Sequence, residues 1–129
     1  MICDASALVE FLIRSPRAPS LEGTISDPAS DLNVPALCDV EVVAALRRLE
    51  LSGAATEKRI REALDDYRDL PLTRHGHLGV LERVHALRKN FSSYDATYVS
   101  LAERLGASLL TADGRLARAV RELTGVEVV

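Results

Sequence analysis

Short apolar segments, each too brief to fold alone and each followed by a stretch of helical periodicity, constrain this chain more than any other feature. Met1 to Cys3 leads into Ala5 to Ile13, where Leu8, Phe11 and Leu12 fall at helical spacing. Leu32-Asn33-Val34-Pro35 leads into a strong helix over Ala36 to Leu51, stopped by Ser52-Gly53. Leu70 to Thr73 reads as strand before a helix over Gly76 to Lys89, and Ser108 to Thr111 as a buried strand before a helix over Asp113 to Leu123. Further helices are expected over Ser20 to Ser26, after a proline-rich break at Arg14 to Pro19, and over Thr56 to Asp69. Another runs from a serine cap at Ser92 to Leu105, ending at Gly106, and Val126 to Val129 reads as a last strand. Strands alternating with helices in this way predict an α/β sandwich, its mostly parallel sheet covered on both faces.

At 129 residues one domain is expected to span 1–129. Apolar residues make up 47% and charged residues 27%, a globular composition, while 4% aromatic with no Trp argues against aromatic platforms for single-stranded nucleic acid. No run approaches the roughly 20 apolar residues of a membrane span, and the N-terminus lacks a basic start and cleavage site. The expectation is therefore a cytoplasmic protein with no membrane partner. Cys3 and Cys38 lie among apolar residues and read as buried reduced thiols. The net charge of −3 argues against nucleic-acid binding by bulk positive field, unless carboxylates gather divalent cations that reverse the local sign.

Four carboxylates stand in places that carry a physical cost or a positional meaning. Glu41 has Leu37, Cys38, Ala44 and Ala45 as its helical neighbours, and a carboxylate on an apolar stripe drives pairing or neutralisation. A salt bridge to an arginine, or a stripe edge reaching solvent, would answer it equally well. Asp95 is followed along one face by Tyr98, Val99 and Ala102, although an aspartate in a first turn also stabilises a helix through the macrodipole. Asp4 and Asp113 suit helix N-caps, and both lie beyond the carboxyl ends of expected strands, the edge on which an open α/β sheet carries its ligands. Four acidic oxygen donors favour a hard cation, Mg²⁺ or Mn²⁺, over zinc. His75-Gly76-His77 and the separate His85 lack zinc-pair spacing.

These residues carry a resemblance. Ile2-Cys3-Asp4-Ala5-Ser6-Ala7-Leu8, then Val34-Pro35 with Glu41-Val42-Val43-Ala44-Ala45-Leu46, then Tyr94-Asp95-Ala96-Thr97-Tyr98-Val99-Ser100-Leu101-Ala102, and finally Leu110-Thr111-Ala112-Asp113 occur in an order and spacing that resembles PIN-domain ribonucleases. The likeness is strongest to the VapC-type toxins of bacterial toxin–antitoxin pairs. It implies a PIN-like three-layer α/β/α sandwich with the first strand central. It further implies a catalytic and metal-holding set of Asp4, Glu41, Asp95 and Asp113, with Ser6 and Thr111 as nearby hydroxyls. Gly114, Arg115 and Leu116 follow Asp113 where some members carry a further acidic or polar residue, so a fifth ligand is not implied.

The implied chemistry is Mg²⁺-dependent hydrolysis of RNA phosphodiester bonds, with Mn²⁺ as a substitute ion. Arg14, Arg17, Arg47, Arg48 and Arg115 are the arginines that suit phosphate contact. The implied partners are an RNA substrate, a VapB-type antitoxin and a second copy of the chain in a homodimer. The helical hairpin of Ala36 to Leu51 and Thr56 to Asp69 is a candidate for the antitoxin groove. A phosphoacceptor domain fits poorly, because Lys58 and Lys89 both fall within expected helices. An Asp-x-Asp phosphatase opening is excluded by Ser6. A non-catalytic PIN-fold module that binds RNA or protein is the alternative.

Overall fold

The structure, a computed structural model, describes all residues from 1 to 129. Four parallel strands lie in the order β3-β2-β1-β4, with β1 at Ile2–Cys3, β2 at Leu32–Pro35, β3 at Leu72–His75 and β4 at Leu109–Leu110. Ile2 pairs with Asn33 on one side and Leu109 on the other, so the first strand is internal, as the resemblance implies. Every pairing is parallel and β1, β2 and β4 are buried, which explains why these segments read as apolar runs without alternation.

Helices α1 (Ala5–Leu12) and α2 (Ala18–Ile25) connect β1 to β2, and α3 (Cys38–Leu51) and α4 (Glu57–Asp69) connect β2 to β3. A 3₁₀ turn at Leu78–Val80, α5 (Leu81–Ala86) and α6 (Ser93–Leu105) then lead to β4, and α7 (Gly114–Leu123) follows. The first two crossovers step outward from β1, whereas the third returns to its other side. With right-handed crossovers, this reversal places the two helix groups on opposite faces. It also opens a crevice at the carboxyl ends of β1 and β4. One continuous core takes in Ile2, Leu8, Val34, Leu46, Val99, Leu109 and Val120, all at most 1% exposed.

Three segments differ from the sequence expectation for identifiable reasons. The third strand starts at Leu72 rather than Leu70, because Leu70 closes α4 and Pro71 cannot donate to a ladder. The single helix expected over Gly76 to Lys89 becomes a 3₁₀ turn and the short α5. Gly79 lies where any Cβ would collide with the Arg104 guanidinium, and two glycines weaken the helical start. The strand expected over Val126 to Val129 contracts to one parallel bridge between Leu109 and Val128. Elsewhere the ends behave as expected: Thr56 and Ser92 cap their helices, and Gly106 closes α6 at φ +60. Arg14 adopts φ +54 in the turn after α1, a left-handed conformation uncommon for a residue with a side chain.

Candidate functional site

Asp4 follows β1 directly and serves as the N-cap of α1, accepting from the Ala7 amide at 3.0 Å. The same oxygen, Oδ1, accepts from the Ser6 hydroxyl at 2.7 Å, and the Thr111 hydroxyl donates to Oδ2. Ser6 and Thr111 lie 3.2 Å apart, the Ala112 amide donates to Ser6 at 3.0 Å, and the Asp113 amide donates to Thr111 at 3.0 Å. Asp113 in turn caps α7, its Oδ1 accepting from the Arg115 and Leu116 amides at 2.9 and 3.2 Å. A continuous hydrogen-bonded seam thus ties the ends of β1 and β4 together. The capping roles of Asp4 and Asp113 coexist with their positions at the site: one oxygen of each accepts from helix amides, and each has further acceptor capacity facing the crevice.

Glu41 reaches the same crevice from the first turn of α3, and Asp95 from the first turn of α6. Asp4, Glu41, Asp95 and Asp113 line one cavity of about 310 Å³, together with Ser6, Val9, Glu10, Ala45, Arg48 and Tyr98. All four expected carboxylates are therefore neighbours, although they are separated in sequence by up to about a hundred residues.

The two sides of this cavity are satisfied differently. Glu41 Oε1 is buried with no hydrogen-bond partner, and so is the Tyr98 hydroxyl beside it. That hydroxyl approaches Glu41 closely enough to favour its charged form, without reaching ordinary hydrogen-bond geometry. Burial nevertheless pushes the Glu41 carboxyl above its usual range, and the neighbouring Asp95 and Asp4 charges push the same way. Asp95 is raised by burial first and then by Asp113 and Asp4. Asp4 is raised by burial, against the opposing hydrogen bonds from Thr111, Ala7 and Ser6. None of the four forms an ion pair, so the salt bridge that would have explained Glu41 blandly is absent.

Four crowded oxygen donors, with the Asp4, Glu41 and Asp95 carboxyls raised and one orphaned buried oxygen, suit a hard divalent cation in chemistry and charge. As placed, no three acidic, histidine or cysteine side chains converge tightly enough to chelate an ion. The histidines do not contribute. His75 Nε2 meets Asn33 Oδ1 at 2.8 Å on the side chain of β2, away from the carboxylates.

Tyr98 escaped the sequence reading as a site residue. Its signal was its position, three residues beyond Asp95 and hence on the same helical face. Among the arginines, Arg48 enters the acidic cavity, Arg17 donates to the Ala112 carbonyl at 2.7 Å, and Arg115 lies beyond Asp113. A further cleft, about 570 Å³, is not on the α3–α4 hairpin alone. It lies between α1, the α1–α2 turn and the end of α4, lined by residues such as Phe11, Pro19 and Leu70.

A switch-point crevice in a parallel sheet, edged by four carboxylates from β1, α3, α6 and α7, defines an acidic α/β site of a known architecture. A family model for the PIN domain matches residues 1–122, and the chain belongs to that family. Within it the chain stands beside the VapC ribonucleases. It is 40% identical over 120 residues to Ribonuclease VapC3 of Mycobacterium tuberculosis, covering 92% of this chain and 86% of that one. Against Ribonuclease VapC9 of the same organism it is 41% identical over 119 residues, covering 90% and 87%. The crystal structure of Mycobacterium tuberculosis VapC20 superimposes with a TM-score of 0.71 at 13% identity, covering 92% of this chain and 93% of that one, a likeness of fold. No helix is long and apolar enough to cross a membrane.

Proposed function

We propose that this protein is a divalent-metal-dependent endoribonuclease, the toxin of a toxin–antitoxin pair, with Asp4, Glu41, Asp95 and Asp113 as its metal-holding and catalytic residues. The observation that carries this reading is the shared cavity of four unpaired carboxylates with Glu41 Oε1 buried and orphaned. A lone buried carboxylate oxygen costs on the order of 1–3 kcal/mol or more unless a ligand satisfies it. Identity of 40% to a named ribonuclease over 86% of its length supplies the reaction class.

Bound at this edge, Mg²⁺ or Mn²⁺ supplies an activated water and charge neutralisation for a phosphodiester. The chain supplies the geometry. Asp4 is held still by Ser6, Thr111 and the Ala7 amide, so its orientation needs no ordering at the moment of reaction. Glu41 and Asp95, with carboxyls raised by burial, hold a proton more tightly than a free carboxylate does. Arg48 offers positive charge for a phosphate entering from the Glu41 side.

The test incubates the purified protein with RNA in Mg²⁺ and in chelator, beside Asp4→Asn and Asp95→Asn. Cleavage only by the native chain with Mg²⁺ is expected; equal cleavage by all four, or by none, sinks the reading. A VapB-type antitoxin and a homodimer belong to the same proposal. Co-expression with a candidate antitoxin should abolish cleavage, and sedimentation should report two copies per particle.

A further inference from the structure

Beyond the acidic cavity lies a second one, of about 420 Å³, and the two share Asp95 and Asp113. They adjoin at these two carboxylates, which stand between them. The second cavity has an apolar floor: Phe91 and Leu116 are 7% and 4% exposed, and Ala119 completes it. Its rim is polar, formed by Asn90 and Arg115, both exposed.

These rim groups are unspent. Arg17, whose guanidinium donates to the Ala112 carbonyl, is committed next to this edge. The Arg115 guanidinium enters none of the four ion pairs. On the opposite side of the carboxylates, Arg48 is equally free of an ion pair. One free guanidinium on each flank of an acidic centre is the charge pattern that fits a polyanion crossing it, with the scissile phosphate over the carboxylates and its neighbours over the arginines.

We propose that the Asn90–Phe91–Arg115 cavity is a nucleotide subsite for single-stranded RNA, adjoining the scissile bond, an inference that rests on the ribonuclease reading. A base enters beside the small apolar part formed by Phe91, Leu116 and Ala119, within a lining that is otherwise polar. Asn90 presents an amide donor and acceptor to the base edge, which makes it the residue that selects the base. Arg115 takes the phosphate on that flank. Duplex RNA does not fit, because a base must leave its stack to enter.

The experiment uses the full chain with Mg²⁺ and a pool of short single-stranded RNAs, with the cut ends sequenced. Asn90→Ala should change the base preference at one position beside the cut by about tenfold, the discrimination that a side-chain amide gives against the wrong base. Arg115→Gln should raise KM about tenfold with less change in kcat, and lower the salt slope of binding by about one. Ala119→Phe, which fills the cavity without touching a carboxylate, should raise KM similarly. Arg118→Gln, exposed on the same helix and outside the cavity, is the control. A native chain that cleaves while all three variants keep its base preference, KM and salt slope overturns the subsite alone. A native chain that cleaves no RNA overturns the ribonuclease reading, and the subsite with it.

Discussion

The strand side and the helix side of the acidic crevice hold the same chemical groups in opposite states. At the ends of β1 and β4, Asp4 is 5% exposed and both its oxygens accept hydrogen bonds, through Ser6, Thr111 and the Ala7 amide. Across the cavity, Glu41 on α3 has a buried oxygen with no partner, next to a Tyr98 hydroxyl equally without one. The first side is built before any ligand arrives. The second is left in debt to one. A site arranged this way has a rigid wall that sets position and an unsatisfied wall that supplies the driving force for binding.

The sharpest way to break the comparison is to alter both walls and watch activity and stability separately. Asp4→Asn should abolish cleavage by at least about a hundredfold, about 2.7 kcal/mol of transition-state stabilisation. It should also lower Tm, since an amide presents donors where Ser6 and Thr111 need acceptors, a cost on the order of 1–3 kcal/mol. Next in size is the ion itself. In chelator the protein should melt earlier than in Mg²⁺, by about 2.7 kcal/mol of stability when the ion is at about a hundred times its Kd. A Tm indifferent to millimolar Mg²⁺ and Mn²⁺ removes the shared ion.

Glu41→Gln should then move Tm the other way from Asp4→Asn. Removing a half-buried charge crowded by Asp95 and Asp4 raises the Tm of the metal-free chain while cleavage still falls. Matching signs for the two variants would erase the distinction between the walls. The effect of pH follows the same logic. Asp4, Glu41 and Asp95 all have folded pKa values above the ordinary 3.8 and 4.5, so the folded state binds their protons more tightly than the unfolded one. Their contribution is thus fully present below those ordinary values and lost as pH rises through the raised ones. Metal-free protein should gain stability as pH falls through the raised values toward the ordinary ones, and Mg²⁺ should abolish that gain.

The smallest effect concerns the core. Burial pushes the Cys3 thiol up to about 12 and the Cys38 thiol up to about 11. Neither should react with a maleimide near neutral pH until the chain unfolds, and rapid labelling of the native protein would contradict the burial.

Much of this was legible in the sequence because cost is legible. Glu41 stood out against Leu37, Cys38, Ala44 and Ala45, and Asp95 against Tyr98, Val99 and Ala102, since a charge on an apolar stripe violates a local rule wherever the fold puts it. Which wall each carboxylate belongs to was not legible. Asp4 and Asp113 look alike as caps, and only the pairing of β1 with β4 brings Ser6 to Thr111. The strand boundary at Pro71 was set by where α4 ends, at Leu70, which the periodicity of the chain does not show. Asn90 and Phe91 carried no signal, because a groove is a property of surfaces that meet and not of any one segment.

The internal position of β1 has a consequence in time. Asp4 is made well before the Thr111 that fixes it, which lies 107 positions later. At about 5–20 residues per second, synthesis of the intervening chain takes roughly 5 to 20 seconds. Through that interval a nascent chain carries its first carboxylate without the seam that orients it. The acidic edge is therefore assembled only when β4 joins the sheet.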